Sequence, residues 1–338
     1  MSSDQKGIRV AVVGVTGLVG QVMLEVLKES HFPISEFIPV ASSTSVGKEI
    51  QFKGKNYKIV SMKDAIQSVP DIALFSAGGT TSLEFAPQFA ARGTYVIDNS
   101  SAWRMEPEVP LVVPEVNSHE LRKDQYIIAN PNCSTIQLVV VLHPIHEKYG
   151  IQRVVVSTYQ SFTGTGMKAV RQYQAEKQSQ EVPEPRAYHH PIFENCIPQC
   201  DTFLENGYTK EEMKIVHETK KIMSDYGLRI TTTAVRVPVF GGHSESVNIE
   251  LLNHFDIKDI RHLLAKSKAI KVLDRPSEFE YPTPLQAYQK NEVLVGRIRV
   301  DESLENGLNL WITADNLRKG AATNAIQIAK ELRDRAWI

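Results

Sequence analysis

The chain has 338 residues, 42% of them apolar and 23% charged, with a formal net charge of -1. That makeup suits a soluble globular chain too long for one core, so two domains are expected, and it excludes a basic nucleic-acid or membrane-surface binder. No apolar run is long enough to span a bilayer, the polar opening of residues 1–7 lacks a signal core, and three cysteines make no disulfide framework, which together point to a reducing cytoplasm.

In chain order, residues 8–13 form a short apolar run. Gly14-Val15-Thr16-Gly17-Leu18-Val19-Gly20 follows, then a helical apolar spacing over 18–28. Strand, glycine-rich turn and helix suit a phosphate: glycine allows close backbone approach, and the helix start offers free N–H groups and a positive dipole end. The spacing is G-x-x-G-x-x-G rather than the commoner G-x-G-x-x-G, so the flanking strand and helix carry the dinucleotide reading; a plain tight turn is the bland alternative. A second strand is expected over 37–41. In NAD enzymes a carboxylate normally ends it. Here Ser42, Ser43, Thr44 and Ser45 follow, with no acid before Glu49. These hydroxyls can accept a 2′-phosphate and no anion repels it, which favours NADP, although each alone also reads as a solvated loop residue. Strands over 72–76 and 95–98, separated by a helix over 82–92, complete an alternation that predicts a parallel, doubly wound α/β sheet.

The pattern changes after Cys133. That residue follows Asn130-Pro131-Asn132 and precedes an apolar helical run, which puts it in a helix's first turn, where free N–H groups and the dipole favour a thiolate. A small buried core cysteine is an equally good reading of the same pattern. Longer β-branched runs at 154–159, 231–239, 246–252, 293–300 and 308–314 predict a mixed or antiparallel sheet. Residues 178–201, rich in Pro, His and Gln, read as an irregular loop, and 320–336 as a last helix. His243 follows a strand and the pair Gly241-Gly242, a geometry that can present an imidazole at a sheet rim beside a thiol; a surface histidine is the alternative. Glu218 and Lys221 share a face of a helix over 211–223, which by pattern alone is a solvated ion pair. Cys196 and Cys200 stand near His189 and His190, but the spacing is poor for zinc, so they are expected to be structural and no metal is expected.

Taken together these residues resemble the aspartate-semialdehyde dehydrogenase family. The carriers are the glycine-rich turn, Ser76-Ala77-Gly78-Gly79, Pro131-Asn132-Cys133-Ser134-Thr135, Ser157-Thr158-Tyr159-Gln160, Glu218-Thr219-Lys220-Lys221, Arg236-Val237-Pro238-Val239 and Gly242-His243, in order over nearly the whole chain. The resemblance implies a Rossmann-type parallel-sheet domain (1–132 with 318–338) that binds NADP, and a mixed α/β catalytic and dimerisation domain (133–317). It implies Cys133 as nucleophile, His243 as acid–base group and Gln160 as the residue orienting substrate. It further implies substrate binding by Asn132, Arg236 and Glu218, and phosphate binding by Arg104 and Lys221. Cofactor contacts are implied at Gly14, Thr16, Gly17, Leu18, Val19, Ser42, Thr44, Ser45, Gly78, Thr163, Gly164 and Asn316. Many bacterial relatives carry arginine where this chain has Thr44, so the 2′-phosphate lacks a guanidinium there. The implied reaction is NADPH-dependent reduction of aspartyl phosphate to the semialdehyde through a cysteine thioester, in a homodimer or tetramer. The rivals are another acyl-phosphate reductase, such as one acting on N-acetylglutamyl phosphate, and a non-catalytic dinucleotide sensor. Glu218 opposes the first, since a carboxylate has no use beside an acetylated amine, and the joint presence of Cys133, Gln160 and His243 opposes the second.

Overall fold

The computed structural model describes residues 7–338; the polar opening before them lies outside it. The elements run β1 (Ile8–Val13), α1 (Leu18–Glu29), β2 (Ile34–Val40), β3 (Glu49–Phe52), β4 (Lys55–Lys58), α2 (Met62–Ser68), β5 (Ile72–Phe75), α3 (Gly79–Ala90), β6 (Tyr95–Asp98), α4 (Pro114–Asn117) and β7 (Ile127–Ala129). They continue with α5 (Cys133–Tyr149), β8 (Ile151–Ser161), α6 (Met167–Lys177), α7 (Lys210–Ile222), β9 (Arg229–Val237), β10 (His243–Leu251), α8 (Ile257–Lys266), β11 (Ile270–Val272), α9 (Pro284–Ala287), β12 (Val293–Asp301), β13 (Gly307–Ala314) and α10 (Asn324–Asp334). Two compact units result: Met1–Pro131 with Ala321–Ile338, and Asn132–Gly320.

The first unit is the Rossmann-like parallel α/β fold expected from the alternation. Its sheet has the order β2-β1-β5-β6-β7, parallel throughout. Successive side chains of β1 enter opposite cores, as the two-residue strand period requires. Val10 and Val12 pack with α1 and α10 residues such as Met23, Leu27 and Ile328, while Ala11 and Val13 pack with Ala65 of α2 and Phe89 of α3. Strands buried on both faces explain why they read as unbroken apolar runs.

The second unit holds a six-stranded mixed sheet in the order β11-β12-β13-β10-β8-β9, with β8 parallel to β9 and antiparallel to β10. Helix α5 is apolar on nearly every side because it is buried on nearly every side. The segment 178–201 has no helix or strand, as expected. Its residue Ile197 exchanges both main-chain bonds with Arg236 (2.9 and 2.8 Å) on the edge strand β9. Among the described residues no helix is long and apolar enough to cross a membrane.

Candidate active site

In the first unit the glycine-rich turn leads from β1 into α1. Gly14 has φ of 82°, and a Cβ there would stand 2.2 Å from the Ser76 carbonyl oxygen, so only glycine lets these strand ends approach. The turn floors a cleft of about 930 Å³ lined by residues including Gly14, Thr16, Gly17, Ser42, Ser43 and Lys63. None of its described lining residues is acidic. Leu18, Val19, Thr44, Ser45 and Gly78 do not line it: Leu18 and Val19 open α1, Gly78 caps α3, and Thr44 bonds the Ser42 hydroxyl at 3.0 Å. Lys63, at the start of α2, had no sequence signal because lysine in an exposed first turn is unremarkable. Arg104 also lies in this unit. Its Nε donates to the Asn130 carbonyl at 3.0 Å and Nη2 to that of Asn99 at 2.7 Å.

In the second unit Asn132 is the N-cap of α5 and Cys133 its first residue. Asn132 Oδ1 accepts from the N–H groups of Ser134 (2.9 Å) and Thr135 (3.4 Å). Those two amides therefore cap the helix and do not stand free along the turn that carries Cys133. Cys133 is partly exposed rather than buried, unlike Cys200. Burial pushes the Cys200 thiol up to about 12, so it stays protonated beside Arg236. Cys196 is exposed, and no group of His, Cys, Asp or Glu able to hold a metal occurs among the described residues.

Three adjacent strands carry the rest. Gln160 of β8 is the register partner of Arg236 on β9, and His243 opens β10 beside them. Ser161 ties the set together: its N–H donates to His243 Nδ1 at 3.0 Å, and its carbonyl accepts from Arg236 Nη1 at 2.7 Å. His243 is wholly buried, not a surface histidine, and its Nε2 has no partner among the described residues. Burial and then the Arg236 charge hold its pKa well below the usual range, so the ring is neutral. Gly164 sits against Arg236 and the imidazole, and Thr163 bonds Asn316 Nδ2 at 3.2 Å, whose Oδ1 accepts from Gly242 N–H at 3.2 Å.

Glu218 corrects the pattern-based reading of a solvated pair. It is 1% exposed, and its Oε2 accepts from the Asn132 N–H at 2.6 Å. Lys221 stands a turn further along α7 and is half-buried. Glu211, which the sequence did not single out, is also buried here and bonds Asn132, Gln160 and Lys214. It lies within the capping box Thr209–Glu212, where an acid reads simply as a complement to the helix dipole.

Two family models match the chain: a semialdehyde dehydrogenase NAD binding domain over residues 9–124 and a semialdehyde dehydrogenase dimerisation domain over 142–319. An aspartate-semialdehyde dehydrogenase of Aquifex aeolicus is 51% identical, covering 96% of this chain and 98% of its own. One from Legionella pneumophila is 48% identical, covering 96% of each. The crystal structure of aspartate semialdehyde dehydrogenase II from Vibrio cholerae, complexed with ASA, superposes with a TM-score of 0.93 at 44% identity, covering 97% of this chain and 99% of that one.

Proposed function

The chain belongs to the aspartate-semialdehyde dehydrogenase family, and from that premise we propose that it reduces aspartyl phosphate to aspartate semialdehyde with NADPH, through a thioester on Cys133. The observation that carries the reading is the convergence of Cys133, Gln160, Glu218, Arg236 and His243 within one unit, mostly buried, with Glu218 bonded to Asn132 beside Cys133 and both Arg236 and His243 bonded to Ser161 beside Gln160.

The division of labour follows the units. The first, with boundaries close to 1–132 and 318–338, takes the cofactor; the second catalyses. The Gly14 cradle and a cleft free of acids fit a dinucleotide with a 2′-phosphate, and Lys63 supplies the cation that Thr44 does not. NADPH, when bound, supplies the hydride. Arg236 suits the substrate carboxylate through its planar fork, and Glu218 the ammonium. Arg104 in the first unit and Lys221 in the second are each suited by charge to the phosphate. Cys133 attacks the acyl carbon and phosphate leaves. Because His243 Nδ1 accepts the Ser161 N–H, the neutral ring holds its proton on Nε2. It therefore donates a hydrogen bond to the thioester oxygen as charge grows there, and that charge folds back into the aldehyde carbonyl as Cys133 leaves as the thiolate. The cysteine chemistry suits a cytoplasmic setting. A homodimer is supported by the dimerisation-domain match and by the sheet face where the Tyr159 and Trp311 rings meet at a 42° tilt, 5.3 Å between centroids, Tyr159 remaining 38% exposed; a tetramer would be built from that dimer.

The test is absorbance of NADPH formed from aspartate semialdehyde, phosphate and NADP, beside succinic semialdehyde, which lacks the amine. Turnover that ignores phosphate, or equal kcat/KM for both aldehydes, rules the assignment out.

A further inference from the structure

One buried carboxylate has no part in the chemistry above. Glu211 stands in the first turn of α7, where an acid ordinarily faces water. Its Oε1 accepts from Asn132 Nδ2 at 2.8 Å and from Gln160 Nε2 at 3.4 Å. Its Oε2 accepts from Lys214 Nζ at 3.2 Å, and Lys214 also reaches Asp201 Oδ2 at 2.8 Å. Burial opposes its charge, but Lys214, the Asn132 amide and Arg236 outweigh that and hold the carboxyl below its usual range.

An ionised carboxylate only accepts hydrogen bonds, whereas a side-chain amide has one donating and one accepting end of nearly equal shape. Glu211 therefore decides which way round two amides stand. Asn132 turns Nδ2 toward it, which turns Oδ1 onto the N–H groups of Ser134 and Thr135 and caps the helix that begins with Cys133. Gln160 turns Nε2 toward it and toward Ser134 Oγ at 3.1 Å, leaving Oε1 as the end that accepts from a substrate.

We propose that Glu211 is a positioning residue for the reaction, fixing the orientation of the Asn132 and Gln160 amides and through them the turn that carries Cys133. The inference rests on the roles given above to Cys133 and Gln160.

The test is Glu211→Gln in two backgrounds. With Lys214 present, the new amide must either face its NH2 to the ammonium or flip and lose Asn132 and Gln160. The expected result is a fall in kcat/KM for the aldehyde on the order of ten- to a hundredfold, with KM for NADP unchanged. With Lys214→Met the conflict is gone, the carbonyl of the introduced amide can serve both Asn132 and Gln160, and the same substitution should cost no more than about threefold relative to Lys214→Met alone. Equal cost in the two backgrounds overturns the proposal, and so does a wild-type kcat/KM in the single variant. Circular dichroism melts show whether each variant is folded. If Glu211→Gln alone is not, Asn132→Asp decides instead: it sets two carboxylates face to face, and adding Glu211→Gln should recover activity, while no recovery overturns the proposal. Turnover surviving in Cys133→Ser would remove the thioester reading itself, a separate outcome from any dependence on background at position 211.

Discussion

The cleft of the first unit and the cluster of the second are made of different materials. The cleft is formed by backbone and hydroxyls at the ends of parallel strands, and its specificity lies in what is missing, an acid after β2. The cluster is formed by charged and amide side chains that are nearly all buried, each held by another. Partners there are far apart in sequence: Asn132 and Glu218 are separated by 86 residues, Ser161 and His243 by 82. A site built from backbone tolerates substitution at its rim, whereas a buried network loses function when any one member changes. The two regions should therefore respond differently to single changes.

The largest effect is expected at the proposed nucleophile. Cys133→Ser should lower kcat by on the order of a thousandfold or more while NADP still binds, because hydroxyl cannot replace thiolate. Fluorescence titration with NADP beside steady-state turnover checks both halves, and a variant keeping a tenth of wild-type kcat would break the comparison at its centre. Next comes Arg236→Lys, which keeps the charge but loses the fork that holds the Ser161 carbonyl and, in the proposed reaction, the substrate carboxylate. A ten- to thousandfold fall in kcat/KM for aspartate semialdehyde is expected, on the order of what misorienting a substrate costs.

The cleft should be more forgiving. Lys63→Ala should reduce the preference for NADP over NAD by roughly tenfold, the scale of one lost charge-assisted phosphate contact, with kcat nearly unchanged. The ratio of kcat/KM for the two cofactors measures it, and an unchanged ratio returns the 2′-phosphate to Ser42 and Ser43 alone.

The smallest effect concerns stability. Glu245 lies two residues from His243 on the same buried face of β10, and burial raises its carboxyl well above the usual range, against the opposing pull of the Gln137 amide. A raised carboxyl pKa contributes stability that is complete below the ordinary value and is lost as pH rises through the folded value. Glu245→Gln stays neutral, so its advantage in Tm over the wild type should grow from pH 5 to pH 8, reaching a few degrees. His243, shifted the other way, loses stability as pH falls, but it is common to both proteins and cancels in the difference. Parallel melting curves of the two would contradict a buried neutral carboxyl.

What could be read from residues follows the same division. The strands of the first unit are legible because two-sided burial leaves unbroken apolar runs; β1 and β6 fall where those runs fall. The edge strand β2 starts at Ile34, three residues before its apolar run, since the next two residues are exposed and polar, Ser35 standing in a register shift and Glu36 pairing with Arg9 of β1. Helix α3 starts at Gly79 rather than Ser82 because glycine and β-branched threonine do not advertise a helix. Strand β10 begins at His243, not Ser246, because its inward face opens with His243 and Glu245, polar residues that hide a buried strand. Helix α6 is too polar to show a core face, while α8 carries apolar residues at Ile257, Ile260, Leu263 and Leu264, a helical spacing that a strand-centred reading passes over. Cys133 and His243 are singled out by the family motifs. Glu211 and Ser161 were not, since a carboxylate that orients amides and a main-chain link between His and Arg leave no local pattern.

The position of Gly320 bears on how such a chain could be assembled. A Cβ there would stand 2.7 Å from that of Cys133, so the second unit begins and ends at nearly one point. The first unit is closed across the same interruption, where Asn130 Nδ2 donates to the Ala321 carbonyl at 3.3 Å. Topologically, residues 132–320 are a cassette inserted into a finished nucleotide-binding fold, with its entry and exit side by side. Excising it leaves ends that a bridge of about three residues can join, at small loop-closure entropy, with the parallel sheet and α10 still in one covalent piece.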